Sequence, residues 1–441
     1  MNDVAARGAA AAPPSPATDP RPLLVRLLDG PIAVVLLAVA AFALYLATSI
    51  VLVGRNATAH FGADTWFYAE LAQGNLFERI ATNYHLVRVT RFHPTTVAMA
   101  AAWMQIFQPL TDWIAPIHIL RALFALVGAV GVWAATTAFA ALVPRATALL
   151  FGAIYAVSFG VWYFASIEES KIVTAALAAL YIAVYLHVRA SWTRRGVLAM
   201  SVILLAACLN EIVSGLLLLI PIVDTLLRRG FDLREGRWIA LHALAGPLAL
   251  LILETAISRP LATTGTHPEG ASHFSMFIFY LLQNDYSPSS LYAFIVNWLF
   301  FNIAAPQATA TYAVPAWATY IGYFVPSLAS YFLSPMRIGV PLVFAAIVAA
   351  IALPRFRGSG LRASGISALL WALLAYTGGR ALFFIVFNPA EPLLFSPAVT
   401  LAHLLIIAVL FSASAFPAKQ PVLAGAALAL LLANGGFMVG W

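Results

Sequence analysis

The chain has 441 residues; 62% are hydrophobic, only 9% are charged, and the formal net charge is +7. Soluble globular domains are roughly a quarter charged, so a chain this poor in charge cannot cover a water-facing surface. That excludes a soluble enzyme, a nucleic-acid-binding protein and a disordered regulator, and predicts an all-α protein embedded in lipid. The lone Cys208 excludes a disulfide framework and a cysteine-based metal cluster.

Residues 1–30, rich in Ala and Pro, read as a disordered cytoplasmic tail. The apolar run that follows, Pro31 to Val53, is too long for a signal-peptide core and predicts a first membrane span. A span needs about 20 apolar residues. Further candidates are 118–142, 146–166, 172–188, 197–225, 238–258, 337–353, 366–387, 398–416 and 421–440. Basic loops orient them, because Lys and Arg stay on the cytoplasmic side. Arg21 and Arg26, then Arg189, Arg194 and Arg195, then Arg228, Arg229, Arg234 and Arg237, and finally Arg355, Arg357 and Arg362 mark four cytoplasmic segments.

The run 197–225 conflicts with this rule as one span, since both of its flanks are basic. Its middle also holds Asn210-Glu211, and a charge at the bilayer centre costs roughly 2.5–3.5 kcal/mol. Two short helices, about 197–209 and 211–225, resolve both conflicts and place Asn210-Glu211 at a recessed outer turn. The stretch 94–115 is interrupted by Pro94, Gln105, Gln108, Pro109 and Asp112, and is laid in the outer interface or made re-entrant. With 291–305 and 311–333 able to form an extra hairpin, the expectation is 11 to 13 spans. The loops 54–117, 167–171 and 259–336 are then extracytoplasmic. The expected organisation is a tail (1–30), a seven-span module (31–258), a long outer loop (259–336) and C-terminal spans (337–441), with interfacial helices in the first and fourth outer loops.

Polar residues that could carry chemistry gather in those outer segments. Asp64 directly follows the first span, ahead of the amphipathic stretch Trp66 to Ile80. It suits a helix cap and equally a catalytic carboxylate. Arg88, Arg91 and His93 form a basic cluster on the side where positive charge is disfavoured. It could anchor anionic headgroups or bind phosphate, for which the planar guanidinium fork is suited. The short loop Glu168-Glu169-Ser170-Lys171 combines helix-start acids with a site at the depth of Asp64. Arg380, near the outer end of 366–387, either snorkels or meets a lipid phosphate. The histidines show no zinc spacing.

The order of these features resembles the GT-C superfamily of membrane glycosyltransferases, of the protein O-mannosyltransferase and lipid A aminoarabinose transferase type. Gly62-Ala-Asp64-Thr-Trp-Phe-Tyr is similar to its first-loop acidic motif, and Arg91-Phe-His93-Pro94 to the His/Pro element that opens the next helix. Glu168 and Glu169 fall where members place a second-loop acid. Leu209-Asn210-Glu211-Ile-Val-Ser-Gly215 resembles the turn between two short spans, with Asn or Glu at its usual lysine position. The resemblance covers about residues 31–270. It implies a multi-pass protein, expected in a bacterial inner (plasma) membrane with its site facing the periplasm or exterior. The implied reaction is inverting transfer of a sugar from a polyprenyl-phosphate donor to a lipid, glycan or protein acceptor. Asp64, Glu168 and Glu169 are the implied catalytic acids, and Arg88, Arg91, His93, Lys171 and Arg380 the donor-phosphate ligands. A divalent metal on Asp64 and Glu168 is compatible with this reading, and no cofactor is required by it. The competing reading is a transporter or flippase of a lipid-linked or anionic substrate. It predicts inverted repeats with matching broken helices, and the sequence offers one broken pair and no partner for it.

Overall fold

A computed structural model describes residues 30–55, 90–229, 233–258, 278, 281–282, 284, 286–306, 328–333, 337–340, 365–389, 391–414 and 418–440. Asp64, Arg88 and most of the expected span 337–353 lie outside them. The regular structure among the described residues is helical, with no strand, as lipid requires of a chain that must satisfy its backbone within each segment. The main helices are α1 (Pro31–Arg55), α2 (Pro94–Ile106), α3 (Pro116–Ala140), α4 (Arg145–Val157), α5 (Phe159–Ala165), α6 (Ser170–Val188), α7 (Arg194–Asn210), α8 (Leu219–Arg229), α9 (Leu233–Ala243), α10 (Ala245–Ile252), α11 (Pro288–Val296), α12 (Ile366–Phe387), α13 (Pro397–Ala413) and α14 (Lys419–Gly440). Among the described residues six helices are long and apolar enough to cross a membrane, or seven if the bent pair α4–α5 is one span. The protein is an integral, multi-pass membrane protein.

Hydrogen bonds between distant residues relate the directions of several helices. Arg145 Nη2 donates to Gly30 O at 2.5 Å, so α1 and α4 start at the same end. Near their other ends Tyr45 donates to Ala156 O at 2.8 Å and Trp162 Nε1 to Thr48 Oγ1 at 2.8 Å. The run 194–229 is two segments. Helix α7 stops at Asn210, Glu211 is extended (φ −157°, ψ 107°), and a 3-10 turn over Ile212–Leu218 leads into α8. At the far end Arg228 Nη1 donates to Arg189 O at 3.0 Å, so the run returns to the end it left. Helix α2 is only 13 residues long. It starts beside Asn210, and the chain enters α3 again at that same end, where Arg121 meets Glu168. So 94–115 does not cross, and Trp113 in it is 86% exposed.

One expected span is not straight. The stretch 146–166 reads as continuous, yet α4 and α5 meet at 59°. Ser158 leaves the helical region (ψ 134°), and the freed N–H groups of Phe159 and Gly160 donate to Ile303 O at 3.0 Å and Asn302 O at 2.9 Å. Asn434 of α14 completes the joint. It donates to Val157 O at 2.7 Å and Ile303 O at 3.0 Å, and accepts from Ala305 N at 2.7 Å. The bend aims α5 at the loop that carries Glu168 and Glu169.

Candidate active site

The described charged residues of the sequence reading converge where the starts of α2 and α6, the Glu211 turn and α12 meet. The anchor is Asn210. Its Oδ1 accepts from Thr96 N at 3.1 Å and Thr96 Oγ1 at 2.6 Å; its Nδ2 donates to Ser170 O at 3.2 Å and Thr174 Oγ1 at 2.9 Å. All four hydrogen bonds an amide side chain can make are filled, and they tie α2, α6 and α7 together. His93 precedes Pro94 as the N-cap of α2 but makes no capping bond. Its Nδ1 lies 2.6 Å from Asn210 O; a carbonyl only accepts, so Nδ1 carries the proton.

Arg380 is buried rather than snorkelling. Its Nη2 donates to Glu211 Oε2 at 2.5 Å. Lys171 and His93 lie within electrostatic reach of the same carboxylate. Two rings form the floor: Phe384 and Phe395 stack with centroids 3.9 Å apart. Arg380 lies over Phe384 at 5.1 Å and Lys171 over Phe395 at 4.6 Å. Cation–π contacts on desolvated rings are worth about 2 kcal/mol each, so both cations are held without using up their hydrogen-bond donors. Arg380 Nε and Nη1 and Glu211 Oε1 are buried with no hydrogen-bond partner among the described residues.

The second-loop acids separate in role. Glu169 caps α6, accepting from Ser170 N at 3.0 Å and Ser170 Oγ at 3.2 Å. Glu168 takes Arg121 of α3 bidentately, with Nε to Oε2 at 2.5 Å and Nη2 to Oε1 at 2.9 Å. Both of its oxygens are engaged by a cation. Among the described residues no group of three or more His, Cys, Asp or Glu could hold a metal ion. Arg91 is buried one turn before α2 proper. Asp64 and Arg88 are outside the described residues.

Sequence reasoning passed over Arg121, Phe384 and Phe395, and read Glu211 as a costly turn residue and as part of the turn that resembles the family's, without giving it a role in the site. A signal existed for Arg121. It sits inside the predicted span 118–142, and a charge at that depth needs a partner, for which the nearest acids by topology are Glu168 and Glu169.

The described residues form an all-helical bundle, and the chain has the GT-C membrane fold. It is similar to ArnT from Cupriavidus metallidurans, solved bound to undecaprenyl phosphate, with a TM-score of 0.59 and 14% identity over 92% of this chain and 76% of that one. No protein-family model and no curated protein matches the chain.

Proposed function

We propose that the protein is a glycosyltransferase that moves a sugar from a polyprenyl-phosphate donor to a lipid, glycan or protein acceptor at the outer face of the membrane. The observation that carries this reading is the buried pair of cations, Lys171 and Arg380, held on an aromatic floor at one end of a GT-C fold. The undecaprenyl phosphate bound to ArnT is of the lipid class this pocket would take.

The chemistry asks little of an acid. A sugar on a phosphate already has a good leaving group, in contrast to glycoside hydrolysis, which needs two carboxylates. The acceptor oxygen attacks the anomeric carbon from the face opposite the phosphate. The bond from that carbon to the phosphate oxygen breaks, its electron pair stays on the phosphate, and configuration inverts. Cations at the departing phosphate stabilise the charge that develops there. Arg380 and Lys171 take that role here, joined by Arg88, Arg91 and His93 from the segment leading into α2. Asp64 receives the acceptor proton or orients its hydroxyl. Glu168, neutralised by Arg121, shapes the wall, and Glu169 holds the start of α6 in register with Lys171.

Mass spectrometry of lipids, glycans and proteins from cells with and without the chain tests this. The expected outcome is one glycan, lipid or protein lighter by a sugar in cells lacking it, with a polyprenyl-phosphate sugar accumulating. Unchanged profiles in all three classes would refute it.

A further inference from the structure

Glu211 is out of place beside the two cations that the proposed function gives to an anion. It is buried, its carboxylate is bound to Arg380, and Lys171 acts on it as well. Each additional negative charge brought into this pocket meets that carboxylate, and in a dry site like charges repel far more strongly than in water. The pairing is also only half used. One carboxylate oxygen and two guanidinium nitrogens stay unpaired among the described residues, although buried polar atoms are normally satisfied. Arg380 is thus held in place by Glu211 and still has donors to give.

We infer that Glu211 sets how much negative charge the pocket accepts: it offsets one of the two cations, admits a lipid carrying a single phosphate and rejects one carrying a diphosphate. This rests on the donor reading above and deepens it. Polyprenyl carriers of the two kinds share a tail, so a site recognising only tail and phosphate oxygen would take both. Discrimination then needs a repulsive element, and Glu211 is a fixed negative charge touching the phosphate-binding arginine. Glu211 is in this sense a specificity-determining residue with no part in moving the proton.

The test uses the full chain in lipid nanodiscs, with undecaprenyl phosphate and undecaprenyl diphosphate as probes and binding read by native mass spectrometry. Wild type should favour the monophosphate by at least about tenfold. Glu211→Gln keeps the shape and removes the charge; it should strengthen diphosphate binding by about tenfold or more and shift the ratio toward the diphosphate. Glu211→Asp keeps the charge and should keep the wild-type preference, which separates charge from packing. A Gln variant with an unchanged ratio, or one that folds and binds both lipids more weakly, overturns the inference. So does a wild type that binds the diphosphate as tightly as the monophosphate, a result that needs no variant. Wild type that binds neither lipid overturns the donor reading itself, whereas monophosphate binding that Lys171→Gln abolishes, with no change of ratio in Glu211→Gln, leaves that reading standing and removes only the role of Glu211.

Discussion

Two buried carboxylate–arginine pairs, Arg380 with Glu211 and Arg121 with Glu168, anchor the candidate site at the level of single residues. Breaking a buried pair by deleting one partner strands a charge, at a cost of about 3–5 kcal/mol, whereas removing both partners is often close to neutral. Arg380→Gln should therefore lower the melting temperature sharply, and adding Glu211→Gln should restore most of it; melting curves of the purified single and double variants decide this. Equal melting of the two would show that the pair contributes no stability. Asp64 is tested differently. Asn caps a helix about as well as Asp but is a far poorer base, so Asp64→Asn should melt like wild type and lose about 10²–10⁴-fold in transfer rate. Near-wild-type turnover would remove the proton-accepting role from Asp64. The cost of Glu211 in lipid was legible from its position in an apolar run. Its partner was not, because Arg380 lies 169 residues further along and nothing local to either residue announces the pairing.

Helix α12, which carries Arg380, is fastened along its length. At its start Gly365 adopts φ +66°, a left-handed turn that suits glycine, and its carbonyl accepts from Arg189 Nη2 at 2.5 Å. Arg189 is itself locked on Asp224 of α8 at 2.7 and 2.8 Å. At its end Asn284 donates to Val386 O at 3.1 Å and Phe387 O at 2.6 Å, carbonyls that a helix terminus leaves unpaired. The bend at Ser158 plays the matching part for the second-loop acids. Asn434→Leu would remove the bonds to Val157 O and Ala305 N and leave Ile303 O with Phe159 N alone; each buried polar group left unpaired costs about 1–3 kcal/mol. The variant should be markedly less stable, while Asn434→Ser should recover part of the loss; melting indistinguishable from wild type would mean the joint does not depend on Asn434. Gly160 permits the same joint, since a Cβ there would come within 2.3 Å of Asn302 Oδ1. The helices themselves were legible from apolar run lengths. The bend was not, because the groups that replace the broken helix's bonds come from residues 302, 303 and 434.

For the molecule as a whole, basic loops predicted which ends lie together, and the long-range bonds give the same pairing of ends. Arg145 with Gly30, and Arg189 with Asp224 and Arg228, gather at one end, and Lys171, Glu211 and Arg380 at the other. Labelling from outside the cell should reach a cysteine placed at Asn83 or Ser272 and should not reach one at Gly196 or Gly230. The native Cys208 is buried and gives no background. Reversed labelling would turn the whole arrangement over. The most direct measurement of the central claim is a single-particle map of the protein in nanodiscs with undecaprenyl phosphate. The phosphate should lie within hydrogen-bonding distance of Lys171 Nζ and the Arg380 guanidinium, beside the stacked Phe384 and Phe395 rings. A phosphate bound at the opposite end, beside Arg189 and Arg228, would contradict it.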